Sequence, residues 1–135
     1  MPPLFIHAGL MITGFLLMLS GALIALSLRR RRWWLRSHRL FGIMGTFVIA
    51  AGFFAAIIMV IRSEGQHFST VHTWFGFMTV VLAAATVLLG FLQFNRKIKL
   101  TARPVFRHMH RWSGRTTLIL LLVSALSGLR FAGIL

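Results

Sequence analysis

Four histidines, His7, His38, His72 and His110, each stand at the entrance of a long apolar stretch. Three of them carry a glycine four residues on: His38-Arg-Leu-Phe-Gly42, His72-Thr-Trp-Phe-Gly76 and His110-Arg-Trp-Ser-Gly114. Residues four apart stack on one helix face about 6 Å apart, so an imidazole with only hydrogen above it leaves space for something large and flat. Imidazole is a common axial ligand of haem iron, and two of them fill both axial positions. Repeated inside a membrane, the pattern points to haem ligation.

The elements that must position these histidines are membrane spans. The chain has 15 Lys and Arg against one acidic residue, Glu64, and is 58% hydrophobic, an odd balance for a water-facing surface. Apolar runs near twenty residues with few charges inside are spans. Four are expected, at about Leu4 to Leu28, His38 to Ile61, Ser69 to Phe94 and Val105 to Leu129. Together they use almost the whole chain. The expected fold is an all-α, four-transmembrane-helix antiparallel bundle, one domain over residues 1–135, binding haem between its helices.

The basic residues cluster by loop. Arg29 to Arg32, Arg36 and Arg39 fall in or beside the connection of spans one and two; Arg96, Lys97, Lys99, Arg103, Arg107 and Arg111 fall in or beside that of spans three and four. The opposite side has only Arg62 and Arg130. Such bias puts the basic loops in the cytoplasm and both termini on the outer side, with a bacterial inner membrane as the expected setting. A basic rim beside anionic lipid accounts for the net charge without nucleic acid as a partner. The absence of cysteine excludes disulfides, thiolate metal sites, iron–sulfur clusters and covalently attached c-type haem. Met-Pro-Pro-Leu-Phe lacks a positive n-region, so span one is expected to be retained rather than removed as a signal peptide.

Helix direction pairs the histidines. His7 and His72 open helices that run inward from the outer side; His38 and His110 open helices that run from the cytoplasmic side. His7 therefore faces His72 in the outer half, and His38 faces His110 in the inner half. A weak repeat accompanies them, with Gly21, Gly52, Gly90 and Gly128 at +14, +14, +18 and +18 from the histidines. At about 100° per residue these fall on the histidine face, which suggests a cofactor pocket at each end of the bundle. Small residues that let membrane helices pack closely are the plainer explanation of any single one.

Arg115 sits one turn deep and is the best candidate to pair with a haem propionate. Arg39 and Arg111 fit propionates and lipid headgroups equally well. His108, on the far side of its helix from His110, and His67, in the outer loop, are assigned interfacial positions. Gly65 is the expected breaker of the outer turn, and Pro104 marks the approach to span four. Trp33 and Trp34 suit the headgroup layer; Trp74 and Trp112 suit interfacial anchoring or haem-edge packing alike. The scattered methionines are flexible filler. Metal transport by the same histidines lacks any supporting carboxylate or thiol.

The stretches His7-Ala-Gly-Leu-Met11, His38-Arg-Leu-Phe-Gly42, Val71-His72-Thr-Trp-Phe-Gly76 and His110-Arg-Trp-Ser-Gly114-Arg115 resemble the cytochrome b561 family, including the transmembrane domain attached to ferric-reductase-like proteins. The resemblance spans all four helices. It implies two b-type haems, first histidine with third and second with fourth, in agreement with the pairing from helix direction. Better-known members have six helices, whereas this chain has the central four, and no ascorbate site carries over. Met11 stands where the other three helices have glycine.

The expected function is transmembrane electron transfer through two bis-histidine haems, by a carrier or oxidoreductase subunit rather than a self-contained enzyme. With both axial positions filled, outer-sphere electron transfer is the natural work of such a site. Expected partners are a quinol, another cytochrome or redox subunit, membrane lipid, a larger complex, or further copies of the chain. The alternative is a haem-free membrane scaffold or assembly subunit, which would treat the aligned histidines as coincidence.

Overall fold

The structure, a computed structural model, describes residues 2–63, 65 and 67–134. Glu64 and Gln66 lie outside the described residues. Four helices follow one another: α1 (Pro2–Ser27), α2 (Trp34–Arg62), α3 (Val71–Leu92) and α4 (Arg103–Phe131), the last entered through a short 3-10 turn at Leu100–Ala102. The shortest, α3, has 22 residues. At 1.5 Å per residue it is about 33 Å long, enough to cross a hydrocarbon core of about 30 Å. All four are long and apolar enough to span a membrane.

Local chemistry sets the helix ends. The Thr70 hydroxyl accepts from the Thr73 amide at 3.4 Å and caps α3, which places His72 in its first turn. Pro104 lies in the first turn of α4, where its missing amide proton has no intrahelical partner to lose. Gly133, with φ of 70°, ends α4: its amide reaches the Arg130 carbonyl at 3.1 Å and the Ile134 amide reaches Leu129 at 3.0 Å. That paired closure needs a left-handed residue, which glycine adopts without steric penalty.

Two boundaries differ from the expected pattern. Helix α2 begins at Trp34 rather than at His38, so half of the basic connection is helical and Trp34 joins the same helix as the histidine. In the α2–α3 connection Gly65 closes α2 through its amide to the Val60 carbonyl at 3.1 Å, but among the described residues the left-handed one is Phe68, with φ of 59°. Its ring is held 5.0 Å from Trp74 and 5.5 Å from Phe77. Aromatic contact offsets a backbone conformation that a bulky residue rarely adopts.

The bundle is two hairpins side by side. Helix α1 packs mainly on α2, and α3 on α4, while contacts between the hairpins are far sparser. In the first pair Gly14 and Gly45 meet at the crossing: a Cβ on Gly45 would stand 3.1 Å from the Gly14 carbonyl oxygen. Small residues allow that backbone approach, and dispersion rather than the hydrophobic effect holds helices together in lipid. In the second pair Thr79, Ala83 and Thr86 pack against Thr117, Leu121 and Ser124, all buried. The threonine hydroxyls bond carbonyls one turn back, at 2.7 to 2.8 Å, so burial leaves them satisfied. The large side chains Phe47, Phe54 and Ile119 point outward, as expected where lipid replaces water.

Candidate functional site

The sparse contact between hairpins leaves room along the diagonals, and the histidines lie there. His7 of α1 and His72 of α3 have ring centroids 6.1 Å apart with planes at 83°. His38 of α2 and His110 of α4 have centroids 5.8 Å apart with planes at 84°. Metal–imidazole bonds of about 2 Å would put two rings on opposite sides of one iron with centroids about 6.3 Å apart. Both pairs match that span, with their planes crossed.

Each ring is oriented by one backbone carbonyl of its hairpin neighbour. His7 Nδ1 donates to the Gly52 carbonyl at 2.8 Å, His38 to Gly21 at 2.9 Å, His72 to Ser124 at 2.9 Å and His110 to Thr86 at 2.9 Å. A carbonyl oxygen can only accept, so Nδ1 carries the proton in all four rings. Each Nε2 is left with a free lone pair for a metal, the arrangement by which an outer acceptor sets tautomer and basicity.

These acceptors share one register. Gly21, Gly52, Thr86 and Ser124 each lie 14 residues after the histidine of their own helix. Every histidine therefore leans on the +14 position of its antiparallel partner. The glycines at +18 bear on the same rings: a Cβ on Gly90 would come within 3.1 Å of His110 Cε1, and one on Gly128 within 2.8 Å of His72 Cε1. The four distal glycines thus seat imidazoles of the neighbouring helix, and Gly21 and Gly90 also line the space beside them. Thr86 and Ser124 as acceptors were missed in the sequence; the signal is the hydroxyl one turn before Gly90 and Gly128.

Around His38 and His110 the space opens into a cavity of about 560 Å³. Gly21, Gly42, Gly90 and Gly114 line it, as does Trp34, whose ring lies 6.3 Å from that of His38. A Cβ on Gly42 would touch nothing within 4 Å, so this glycine does face open space. Gly76 and Gly114 face neighbouring side chains instead, Ser124 Oγ at 3.8 Å and Thr86 Cγ2 at 3.5 Å from their ideal Cβ positions. Met11, the odd residue of the series, packs on Gly52 and against the buried core of Met18, Ile49, Ala83 and Leu121.

Arginines surround the cavity: Arg29, Arg39, Arg107, Arg111 and Arg115 all line it. Arg39 is half-buried and sits 4.5 Å above the Phe94 ring; Arg115 is exposed and sits 5.3 Å from the Trp112 ring. Both guanidiniums keep hydrogen-bonding edges free of the aromatic face that positions them. Trp74 and Trp112 are about half exposed, which suits interfacial anchoring. His67 and His108 are exposed and belong to neither pair, His108 resting 6.2 Å from Trp112.

Among the described residues no group of three or more His, Cys, Asp or Glu is placed to hold a metal ion. Two imidazoles alone make a poor metal cage. They suit an iron whose other four positions are supplied by a porphyrin. The donor set, the ring spacing and the glycine-lined cavity therefore all fit haem. Neither a curated protein nor a solved structure matches the chain. The model of the family described as eukaryotic cytochrome b561 matches residues 6–134, and with that span of agreement the chain belongs to the cytochrome b561 family.

Proposed function

We propose that the two crossed histidine pairs hold two b-type haems, His7 with His72 and His38 with His110, and that single electrons pass between them across the bilayer. Haem-based transmembrane electron transfer is the activity of the family to which the chain belongs. The observation that carries the two-haem reading is the repetition of one geometry at both ends. Each end has two rings at iron-bridging separation, crossed planes, and Nδ1 committed to a carbonyl.

When bound, haem supplies a one-electron iron couple. The protein's part is to place it. The carbonyls of Gly52, Gly21, Ser124 and Thr86 fix the ligand rings, so ligation costs little reorganisation. At the basic end Arg115 and Arg39, which line the cavity, would offer guanidinium edges to haem propionates, Gly42 leaves open space in that cavity, and Gly114 lines it one turn past His110. At the other end Gly76 lies one turn past His72, its ideal Cβ 3.8 Å from Oγ of Ser124, the residue whose carbonyl holds that ring. Between the two levels the core of Met18, Ile49, Ala83 and Leu121 excludes water. The 14 residues from His7 to the His38 level at Gly21 rise about 21 Å, most of the apolar thickness. The sole acid, Glu64, falls in the α2–α3 connection, so electrons cross without a carboxylate proton relay in the spans.

The charge bias supports a cytoplasmic basic end with the termini outside. It gives the side, not the membrane, so the bacterial inner membrane expected from the sequence stands beside a family described as eukaryotic. Partners at either face are a quinol, another cytochrome, or neighbouring subunits of a redox complex. A reduced-minus-oxidised spectrum of purified protein with iron analysis tests the reading. The expected result is a b-type α-band and two irons per chain, one lost in His38→Ala or His110→Ala. Absence of the band overturns it.

A further inference from the structure

Each carbonyl acceptor lies against two positions of its neighbouring helix, the histidine that bonds it and the residue one turn further on. At His72 the acceptor Ser124 carries a side chain and the following residue is Gly76, whose ideal Cβ lies 3.8 Å from Ser124 Oγ. At His110 the acceptor is Thr86 and the following residue is Gly114, 3.5 Å from Thr86 Cγ2. At His38 both positions are glycine, and the backbones close up: an ideal Gly21 Cβ stands 3.5 Å from the Gly42 nitrogen. At His7 the order of sizes is reversed. The acceptor is Gly52 and the following residue is Met11, whose Sδ and Cγ would lie 3.0 and 3.4 Å from a Cβ on Gly52.

We infer that the acceptor and the residue one turn past the histidine form a size-matched unit, and that Met11 is the positioning residue of His7 through its packing on Gly52. Where the acceptor has a side chain, even a bare Cβ one turn past the histidine would already be in van der Waals contact with it, so a small residue suffices there; where the acceptor is glycine, a larger side chain can take up the contact. Met11 thus does from α1 what Ser124 and Thr86 do from the opposite partner: it fills the space beside the carbonyl and keeps that carbonyl aimed at Nδ1. Without it, the Gly52 segment and the imidazole gain freedom together. The inference rests on His7 being a haem ligand.

The test uses the full chain with Met11→Gly, Met11→Leu, Gly52→Ser and the double variant Met11→Gly/Gly52→Ser. Redox titration and ferric electron paramagnetic resonance are recorded on each, and the component missing in His7→Ala is taken as the outer site. Met11→Gly is expected to shift the midpoint and broaden the signal of that component alone, leaving the His38/His110 component unmoved. Met11→Leu restores both. Gly52→Ser should damage the outer component several-fold more beside Met11 than beside a glycine at position 11. Its contact with Leu10 Cβ, 3.2 Å from the ideal Gly52 Cβ, is common to both backgrounds and cancels in the cycle. A Met11→Gly protein with an unaltered outer component, or equal effects of Gly52→Ser in the two backgrounds, overturns the inference. A wild-type protein lacking any His7-dependent component defeats the haem reading itself, a distinguishable result.

Discussion

Gly128 shows how much a single hydrogen atom decides in this protein. His72 is held through Nδ1 to the Ser124 carbonyl, with Ser127 Oγ a further 3.3 Å contact, so the ring cannot retreat from a new methyl 2.8 Å away without losing that bond. With two haems bound as proposed, Gly128→Ala should therefore remove most of the outer one, and Gly90→Ala, with its closest approach of 3.1 Å to His110, should weaken the inner one less. Alanine favours a helix over glycine by about 1 kcal/mol, so circular dichroism should show helix content kept while haem per protein falls. Equal haem in both variants and wild type would contradict the seating role. The crossed planes, 83° and 84°, carry a spectroscopic consequence at the same scale. Perpendicular imidazoles leave two iron d orbitals nearly degenerate, so the ferric low-spin signals should be strongly anisotropic. Rhombic signals typical of parallel ligand planes would show the rings turned from this arrangement.

The helices act as paired elements, and the first hairpin is the tighter test. At the Gly14–Gly45 crossing, Gly45→Ala would drive a methyl to 2.6 Å from Met18 Cγ and 3.1 Å from a backbone carbonyl. Met18 can turn away, but the carbonyl cannot. Overpacking of this kind costs about 1–3 kcal/mol, and the expected readout is a lower thermal midpoint for α1–α2 association in detergent. Gly9→Ala is the control, since its Cβ would meet nothing within 4 Å. It should be neutral or slightly stabilising. The separation of the two hairpins follows from the same packing: glycine backbones and buried hydroxyls tighten each pair, and the sparser interface between pairs holds the two histidine pairs.

At the scale of the whole molecule the charge bias and the antiparallel order make one prediction about sidedness. The chain has no cysteine, so single cysteines report cleanly. Lys97→Cys, in the α3–α4 connection, should be labelled by impermeant maleimide only from the cytoplasmic face, and Gly133→Cys, past the end of α4, only from the opposite face. Labelling of both from one side would break the four-span arrangement on which the histidine pairing depends. Surface composition belongs to this scale too. The molecule exposes phenylalanine and leucine on every helix because lipid, not water, is its solvent, and among the described residues its buried apolar core is Met18, Ile49, Ala83 and Leu121, between the two histidine levels.

Much of this was legible along the chain. Apolar runs of span length, basic loops alternating with nearly neutral ones, and a histidine at the head of each run are one-dimensional patterns, and helix direction alone puts His7 beside His72 and His38 beside His110. Tertiary structure was needed for what depends on the register between neighbouring helices. Only that register brings the +14 residue of one helix under the Nδ1 of the next, makes acceptors of Thr86 and Ser124, turns Gly76 toward a hydroxyl while Gly42 stays open, and lays Arg115 over Trp112. A side chain's own helix fixes which face it lies on; how far along the partner helix it lands depends on close packing at Gly14, Gly45, Ala83 and Leu121, a relation between residues that no single stretch of sequence contains.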